Sequence, residues 1–458
     1  MNRMNSAFRF ALLSAALWFA PLFAARAQPS TFNTIPAAPP SVVGAPGWSA
    51  QPEPPHRADA GADALIGNAA LFQNDPKNVA ALLDAGTDVN ARNANGKTAL
   101  MAACSVYVER SNPMQNSDVI RLLLDRGADV NLRDREGNTA LMIATSASWY
   151  GGDKEDAMNW LLEAGADPNA RSDDGTTALV YAIGSGHRTE NLIAAGARFT
   201  PEQVTAAWKY GAAGGTTWLM LAAKDADLAA LNLLLQQGAD AARRDDTGRD
   251  VLFYAVESYA PLFQGDWFVR LAPRLVAAGA RLDTVAKDGT TLLMVAAQQR
   301  QPTTVAWLLR RGLDVNARNR NGRNAIAYVA RRKSYVRADK PDLTLQTLWV
   351  LRGYNADINA RTTGGQTPLS EAIDNQNWSV VSWLLAEGAK VKTRDKDGDT
   401  PLHRVAHWQD VANVVRALLR CGADPNARNS QGQTPLDVAI QSRASGVAQT
   451  LRAYTAKL

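Results

Sequence analysis

The four histidines and two cysteines are the residues of this chain best suited to metal binding or nucleophilic chemistry. His403 and His407 stand four positions apart on one predicted helix, which is the spacing of a zinc-binding pair. The segment between them lacks the glutamate of a His-Glu-x-x-His site, and no third ligand is evident. No nucleotide-binding glycine motif is present either. The sequence therefore predicts a protein with no catalytic residues, no metal and no cofactor.

The elements that must position these residues recur along the chain. Segments of the type Gly-Ala-Asp-Val-Asn begin at Gly127, Gly165, Gly312 and Gly422, and a second glycine follows ten residues later in each. The spacing between successive second glycines is 33 residues or 33 plus an insertion. Each unit has the pattern of helix, loop, helix and turn, with apolar faces that a single unit cannot cover. Neighbouring units must therefore stack to bury them.

This 33-residue period, the Asp-x-x-Gly-x-Thr-Pro-Leu-His turn from Asp395 to His403 and the Leu-Leu-x-x-Gly-Ala-Asp-Val-Asn endings resemble ankyrin repeats. The resemblance implies an all-α repeat fold, an ankyrin-type solenoid of stacked helix pairs with β-turn or hairpin crossings. It covers residues 61–458, as a leading helix pair and about ten repeats. It also implies a structural role for His403, whose ring is expected to hydrogen-bond the neighbouring turn. The array is irregular near 197–214, where Thr200-Pro201-Glu202 predicts an additional helix start.

The N-terminal residues predict export. An apolar run from Phe10 to Phe23 follows two arginines and precedes Ala25-Arg26-Ala27, so residues 1–27 are interpreted as a signal peptide cleaved before Gln28. Residues 28–60 contain eight prolines and are interpreted as an extended tether. We therefore expect a periplasmic or secreted chain without an integral membrane segment once the signal is removed.

The cysteines and the net charge limit the possible covalent and ionic partners. Cys104 and Cys421 lie about eight repeats apart, on the order of 70 Å for stacked helix layers, so no intramolecular disulfide is expected. Loss of the three arginines of the signal lowers the formal net charge from +5 to +2. A nearly neutral chain has no global field that would concentrate nucleic acid, and no nucleic-acid partner is expected.

Insertions between the first and second helices of four units fall on one edge of the predicted solenoid. They bring large aromatic residues to or beside loops, chiefly Trp149, Tyr150, Tyr259, Phe263 and Trp267. Aromatic residues in irregular loops favour a protein interface. The alternative is that the rings fold back and close their own loops.

A basic segment spans residues 310–340, with ten basic side chains against two aspartates. It includes Arg331, Arg332 and Lys333, and could meet an acidic protein, an anionic lipid surface or a polyanion; the alternative is a solvated face. Tryptophans five residues before the cap glycine, at Trp160 and Trp307 and again in a third unit, favour packing over binding on the convex face.

The resemblance implies a non-catalytic protein–protein interaction scaffold with an unknown protein partner. In ankyrin-repeat proteins partners usually meet the turn tips and the concave first-helix face, which here would include Glu257, Gln298, Arg331, Asp374 and His407. The alternative is an exported effector or an enzyme whose activity resides in the inserts. No insert reaches the size of a domain, which argues against that alternative.

Overall fold

Helix pairs run through all of the chain that the computed structural model describes, namely residues 60–70, 76–105, 113–146, 154–184, 189–205, 214–258, 267–332 and 343–456. These residues belong to one unit, His56–Leu458. The other unit is Met1–Pro55, and the predicted signal peptide and most of the tether lie outside the described residues.

Eleven helix pairs are found within the described ranges. The first helices are Ala60–Ala70, Ala99–Ser105, Ala140–Ser146, Ala178–Gly184, Trp218–Lys224, Val251–Glu257, Leu292–Gln298, Ala325–Arg331, Pro368–Asp374, Pro401–Val405 and Pro435–Gln441. The second helices are Pro76–Asp84, Pro113–Asp125, Lys154–Glu163, Glu190–Ala194, Leu228–Gln236, Trp267–Ala277, Pro302–Arg310, Leu343–Gly353, Trp378–Ala386, Ala412–Arg420 and Ser445–Thr455. The predicted all-α ankyrin-type fold is confirmed.

The Thr-Pro-Leu segments explain why the first helices begin where they do. At Pro368–Asp374, the Thr367 hydroxyl accepts the backbone N–H of Ser370, while Pro368 occupies the first helical position, where its missing N–H has no cost. The leucine that follows, Leu369, is fully buried. Each such leucine contributes about 2 kcal/mol through removal of its side chain from water.

The helices form two layers. Each first helix packs on the first helices before and after it, most second helices do the same, and the two helices of every pair contact each other. The core therefore lies between the layers, and it is continuous from Ala62 to Leu451. A repeat has no core of its own, as the sequence predicted.

The side chain just before several second helices ties one repeat to the one before it. Asn377, which is 1% exposed, donates from Nδ2 to the carbonyl of Arg332 at 2.8 Å. Gln301 likewise donates from Nε2 to the carbonyl of Val256 at 2.7 Å. These bonds satisfy carbonyls at the ends of first helices, where the helix itself supplies no donor.

The turns between repeats form a second connection, made by the backbone. We call the turns a ladder, because at all but one junction between described turns one N–H bonds a carbonyl of the preceding turn, as from Lys396 to Gly364 (2.9 Å) and from Ser430 to Asp397 (3.0 Å). The turn glycines allow this close approach: at Gly398, where φ is 75°, a Cβ would lie 2.7 Å from the backbone nitrogen of Ser430. Adjacent turns are thus held in fixed register.

The irregular segment near 197–214 interrupts that ladder. The predicted additional helix is present as Pro201–Thr205, and Gln203 donates from Nε2 to the carbonyl of Gly175 at 3.0 Å. Within the described residues no backbone bond joins the turns on either side, and the side chain of Gln203 bonds the earlier turn instead. The first helices on both sides, Ala178–Gly184 and Trp218–Lys224, still contact each other.

Candidate functional site: a charged cluster in the first-helix layer

One position of the first helices carries the charge pattern that distinguishes the C-terminal repeats. The residue four places after the helix N-cap is apolar in several repeats, as at Leu221, Val295 and Val438. In two consecutive repeats it is instead charged, as Glu371 and Arg404. Because first helices stack on one another, these two residues belong to adjacent helices of one layer.

Arg404 joins two carboxylates. Its Nη1 donates to Oδ2 of Asp374 at 2.6 Å, and its Nε donates to Oδ2 of Asp395 at 2.8 Å. Asp374 also accepts from Nε2 of Gln366 at 3.1 Å. The side chain of Asp395 is 2% exposed and that of Arg404 is 18% exposed, so this ion pair is largely removed from water.

The bond from Arg404 to Asp395 uses a geometry found elsewhere in the array. Tyr254 donates from its hydroxyl to Oδ2 of Asp245 at 2.8 Å, again to a turn residue nine positions earlier. Arg404 thus extends a structural contact with a charged group. The guanidinium of Arg404 also has a further donor, Nη1, which bonds Asp374 in the preceding repeat.

Glu371 makes a different contact, because it pairs with the repeat before its own. Nε of Arg323 donates to Oε1 of Glu371 at 2.6 Å, and the two side chains are 18% and 4% exposed. The other carboxylate oxygen, Oε2, is buried without a hydrogen-bond partner. A buried acceptor left unpaired is costly, so this pair does not represent an optimum for stability.

We define the charged cluster as Arg323, Glu371, Asp374, Asp395 and Arg404. Burial has the largest effect on the pKa of two of its acids. It raises the pKa of Glu371 and that of Asp374 above their ordinary values, although the neighbouring arginines act in the opposite direction. The pKa of Arg404 is raised because its hydrogen bonds to the two aspartates outweigh the effect of burial.

Two cavities open beside the charged cluster, between adjacent turns. The first has a volume of about 320 Å³, and the second, of about 360 Å³, is lined by Asp397, Asp399, His407 and side-chain amides of the last repeat. Lys396 lines both cavities. The first is lined by Asn321, Arg323, Thr362, Thr363, Gly364, Gln366, Lys396 and Arg404. The surface at residues 321–441 is therefore a polar depression with charged walls.

His403 and His407 lie in different environments. The fully buried ring of His403 contacts Thr400 through Nδ1 at 2.9 Å and the carbonyl of Gln433 through Nε2 at 3.0 Å, so the predicted structural role is confirmed. His407 is exposed and lies 3.1 Å from the hydroxyl of Ser442. Among the described residues no group of three or more His, Cys, Asp or Glu side chains is placed to hold a metal ion.

The cysteines differ in environment. Cys104 is fully buried, and burial raises the pKa of its thiol to about 12, whereas Cys421 is exposed. Their helices, Ala99–Ser105 and Ala412–Arg420 with its C-cap, belong to distant repeats.

The structure describes only one of the five aromatic residues that were predicted to lie at or beside the inserted loops. Trp149, Tyr150, Tyr259 and Phe263 lie outside the described residues, so their role in binding stays a prediction. The prediction that Trp267 contacts a partner is corrected by its burial. Trp267 begins the helix Trp267–Ala277 and is only 6% exposed, because the helix packs against its neighbours. This ring therefore packs inside the array and is not an exposed contact residue.

The basic segment is only partly available to a partner. Arg331 and Arg332 are exposed, and Arg332 donates from Nη1 to Oε1 of Gln299 at 2.6 Å and to the carbonyl of Gln298 at 3.2 Å. Lys333 lies outside the described residues. Glu257 is engaged by Nη1 of Arg249 at 2.8 Å.

Two of the recurrent tryptophans pack inside the array, as the sequence predicted. Trp307 and Trp383 are 9% and 6% exposed, and each meets a second aromatic ring edge-on, at 5.6 Å and 5.7 Å between ring centres. Glu371, Asp395 and Arg404 were not predicted as a group from the sequence. The signal that could have found them was the charged residue at a helix position that is apolar in other repeats.

Comparison with known proteins supports the architecture. A family model described as ankyrin repeats (3 copies) matches residues 66–172, 114–203, 146–245, 293–395, 335–429 and 369–458, which together make up more than half of the chain. No helix among the described residues is long and apolar enough to span a bilayer.

Relatives share the repeats over part of their length. An ankyrin-repeat protein of fowlpox virus (strain NVSL) is 29% identical over 178 residues, covering 37% of this chain and 49% of the relative. The B-cell lymphoma 3 protein homolog of Mus musculus is 31% identical over 174 residues, covering 37% and 36%. The Notch protein of Drosophila melanogaster is 38% identical over 115 residues, covering 22% and 4%. The matches span about half or less of these relatives, and with the family match and the stacked helix pairs they show that this chain belongs to the ankyrin-repeat family.

Proposed function

We propose that this protein is a non-catalytic scaffold that binds another protein across the turns and first helices of residues 321–441. The observation that carries the proposal is the charged cluster beside two polar cavities. Burying charge there costs stability, and an apolar residue of the kind found at Val295 or Val438 would avoid that cost. A surface that keeps such groups is better explained by recognition than by stability.

We further propose that the scaffold acts in the periplasm or outside the cell. The support is the sequence of residues 1–27, with its apolar run and Ala25-Arg26-Ala27 processing site. Intact-mass measurement of the exported chain tests this directly, with Gln28 expected as the first residue. A mature chain that retained Phe10 to Phe23 would contradict it.

Site-specific photo-crosslinking tests the binding surface. A photo-reactive amino acid is placed at Thr363, which is exposed and lines the first cavity. The matched control is Ser382, which is exposed on the second helix Trp378–Ala386. We expect a discrete adduct from Thr363 and none from Ser382. Equal labelling at both positions, or no adduct at Thr363, would show that the partner does not use this surface.

The aromatic inserts supply a second set of contacts in this proposal. Shortening the segments 148–153 and 259–266 toward the 33-residue period is expected to weaken capture of the partner and to leave the stacked repeats folded, since the packed faces are unchanged. Undiminished capture would limit the interface to the polar depression.

A further inference from the structure

We propose that the first cavity binds a carboxylate side chain of the partner, so that the scaffold recognises an acidic segment of a protein. This inference rests on the proposed function and names the chemistry of its partner. The cavity lies where the turns of three consecutive repeats meet, since its walls come from residues 321–323, 362–366 and 396. At about 320 Å³ it accommodates one or two side chains rather than a folded element.

The cavity walls are cationic. Arg323, Lys396 and Arg404 line the cavity, and no carboxylate is among its lining residues. Two acidic members of the charged cluster, Glu371 and Asp395, have side chains that are only 4% and 2% exposed, and none of its three acids lines the cavity. An incoming group therefore meets positive charge first.

Arg323 provides the donors. Its side chain bonds Glu371 through Nε alone, which leaves both Nη groups without an acceptor among the described residues. At 18% exposure, with Nε anchored, the guanidinium is already restricted in orientation. Two parallel N–H groups held in this way match the two oxygens of a carboxylate, and little further ordering is needed on binding.

Lys396 provides a second charge on the opposite turn. Its backbone N–H bonds the carbonyl of Gly364 at 2.9 Å, which fixes its position in the ladder of turns. Its exposed side chain has no ion pair among the described residues, so its ammonium is available to a ligand. Asn321 and Thr363 add a neutral amide and a hydroxyl at the same opening.

The site is less suited to binding a basic residue of the partner. Asp374 is the most exposed acid of the charged cluster, with 30% of its side chain accessible, but its Oδ2 already accepts from Arg404 and Gln366. A lysine or arginine would therefore meet a carboxylate whose charge Arg404 already compensates. A carboxylate would instead meet the Nη groups of Arg323, which have no acceptor among the described residues.

Peptide selection with measured affinities tests the inference. A library of random twelve-residue peptides is selected against the mature chain at low salt, and the best binders are measured by fluorescence anisotropy. We expect an Asp or Glu at a fixed position of the selected peptides. Arg323→Gln should weaken binding by roughly 10- to 100-fold, and Lys396→Ala by up to about 5-fold. Lys392→Ala and Arg420→Gln, at exposed positions outside the cavity, should change affinity less than about 2-fold.

A double-mutant cycle separates direct contact from a structural effect. Replacing the peptide's acid by its amide should cost much less when the protein carries Arg323→Gln, because the same contact is removed twice. If Arg323→Gln disturbs folding, the cycle with Lys396→Ala gives the same readout at an exposed residue. Selected peptides that lack an acid, prefer a base, or show additive losses would overturn the carboxylate site.

The two proposals fail in different ways. A discrete crosslink at Thr363 together with peptides that carry no acid would keep the scaffold and reject the carboxylate site. Acidic peptides that depend on Arg323, without any crosslink at Thr363 in cells, would keep the site and reject the proposed interface.

Discussion

Replacing Arg404 by valine should reveal how much the array depends on the charged cluster. The substitution removes the donors to Asp395, whose side chain is 2% exposed, and to Asp374. Breaking a buried ion pair by removing one partner costs about 3 to 5 kcal/mol. Oδ1 of Asp395 still accepts two backbone N–H groups of its own turn, both at 2.9 Å, so we expect the lower end of that range, about 3 kcal/mol.

A second substitution should recover much of that loss. The following repeat has Asn429 and Val438 where this repeat has Asp395 and Arg404, and Asn429 accepts N–H groups of its turn in the same way, at 3.0 Å and 3.1 Å. Asp395→Asn combined with Arg404→Val therefore installs a neutral pair that the array already uses. We expect it to be more stable than Arg404→Val alone by about 2 kcal/mol, since the buried charge is gone.

Native-state hydrogen exchange is the suitable assay, because repeat arrays can open in parts and a single global unfolding energy is then not defined. The amides of Pro401–Val405 and Ala412–Arg420 report on the altered repeat. A loss of about 3 kcal/mol corresponds to exchange roughly a hundredfold faster. The control is Arg281→Ala, which removes an ion pair with Asp283 in which both side chains are about two-thirds exposed, and which should leave the exchange rates nearly unchanged because water screens the pair.

Two results would refute this reasoning. If Arg404→Val costs no more than Arg281→Ala, the ion pair of Arg404 is not removed from water in solution. If the double variant is no better than the single one, the loss comes from packing of the long arginine side chain and not from the stranded charge.

Further predictions concern the turns, the thiols and the links between repeats. Gly432→Ala should cost about 1 kcal/mol in stability, because a residue with a side chain is strained at its positive φ of 75°. Gly398→Ala should cost at least about 1 kcal/mol more by thermal or chemical unfolding, because its Cβ would also meet the next turn. Equal losses would argue against close contact of the turns. Iodoacetamide at pH 8 should alkylate Cys421 and spare Cys104, whose pKa of about 12 leaves almost no thiolate, until denaturant is added, as peptide mass spectrometry would show. Asn377→Ala should lower the free energy of opening at this repeat, measured by native-state hydrogen exchange, by about 1 kcal/mol, since two carbonyls each lose one of their donors. No measurable change in exchange would exclude that role.

The repeat could be predicted from the sequence, because the local preferences of its residues agree with the global fold. Thr-Pro-Leu starts first helices, and left-handed residues end second helices, including Asn355 with φ of 63° in place of the usual glycine. The additional helix at Pro201–Thr205 followed from its capping residues in the same way. These features depend on neighbours in sequence, so a single chain sufficed to predict them.

Only part of the candidate site could be predicted from the sequence. Asp374 was identified as a surface residue of its repeat, but its partner Arg404 comes from the next repeat, and Glu371 is paired with Arg323 from the one before. These contacts join residues 30 and 48 positions apart, and no local pattern specifies which side chains meet.

Sequence by itself determined the period, the helix caps and the turn glycines, because backbone conformation at these points depends on the residues immediately around them. Tertiary structure alone decided which side chains are removed from water. Trp267 stands beside a predicted insertion, yet packing of its helix buries the ring, and Asp395 stands in a turn, yet Arg404 covers its carboxylate. Burial and charge pairing depend on how adjacent repeats stack, and the free energy of each group is set by that stacking.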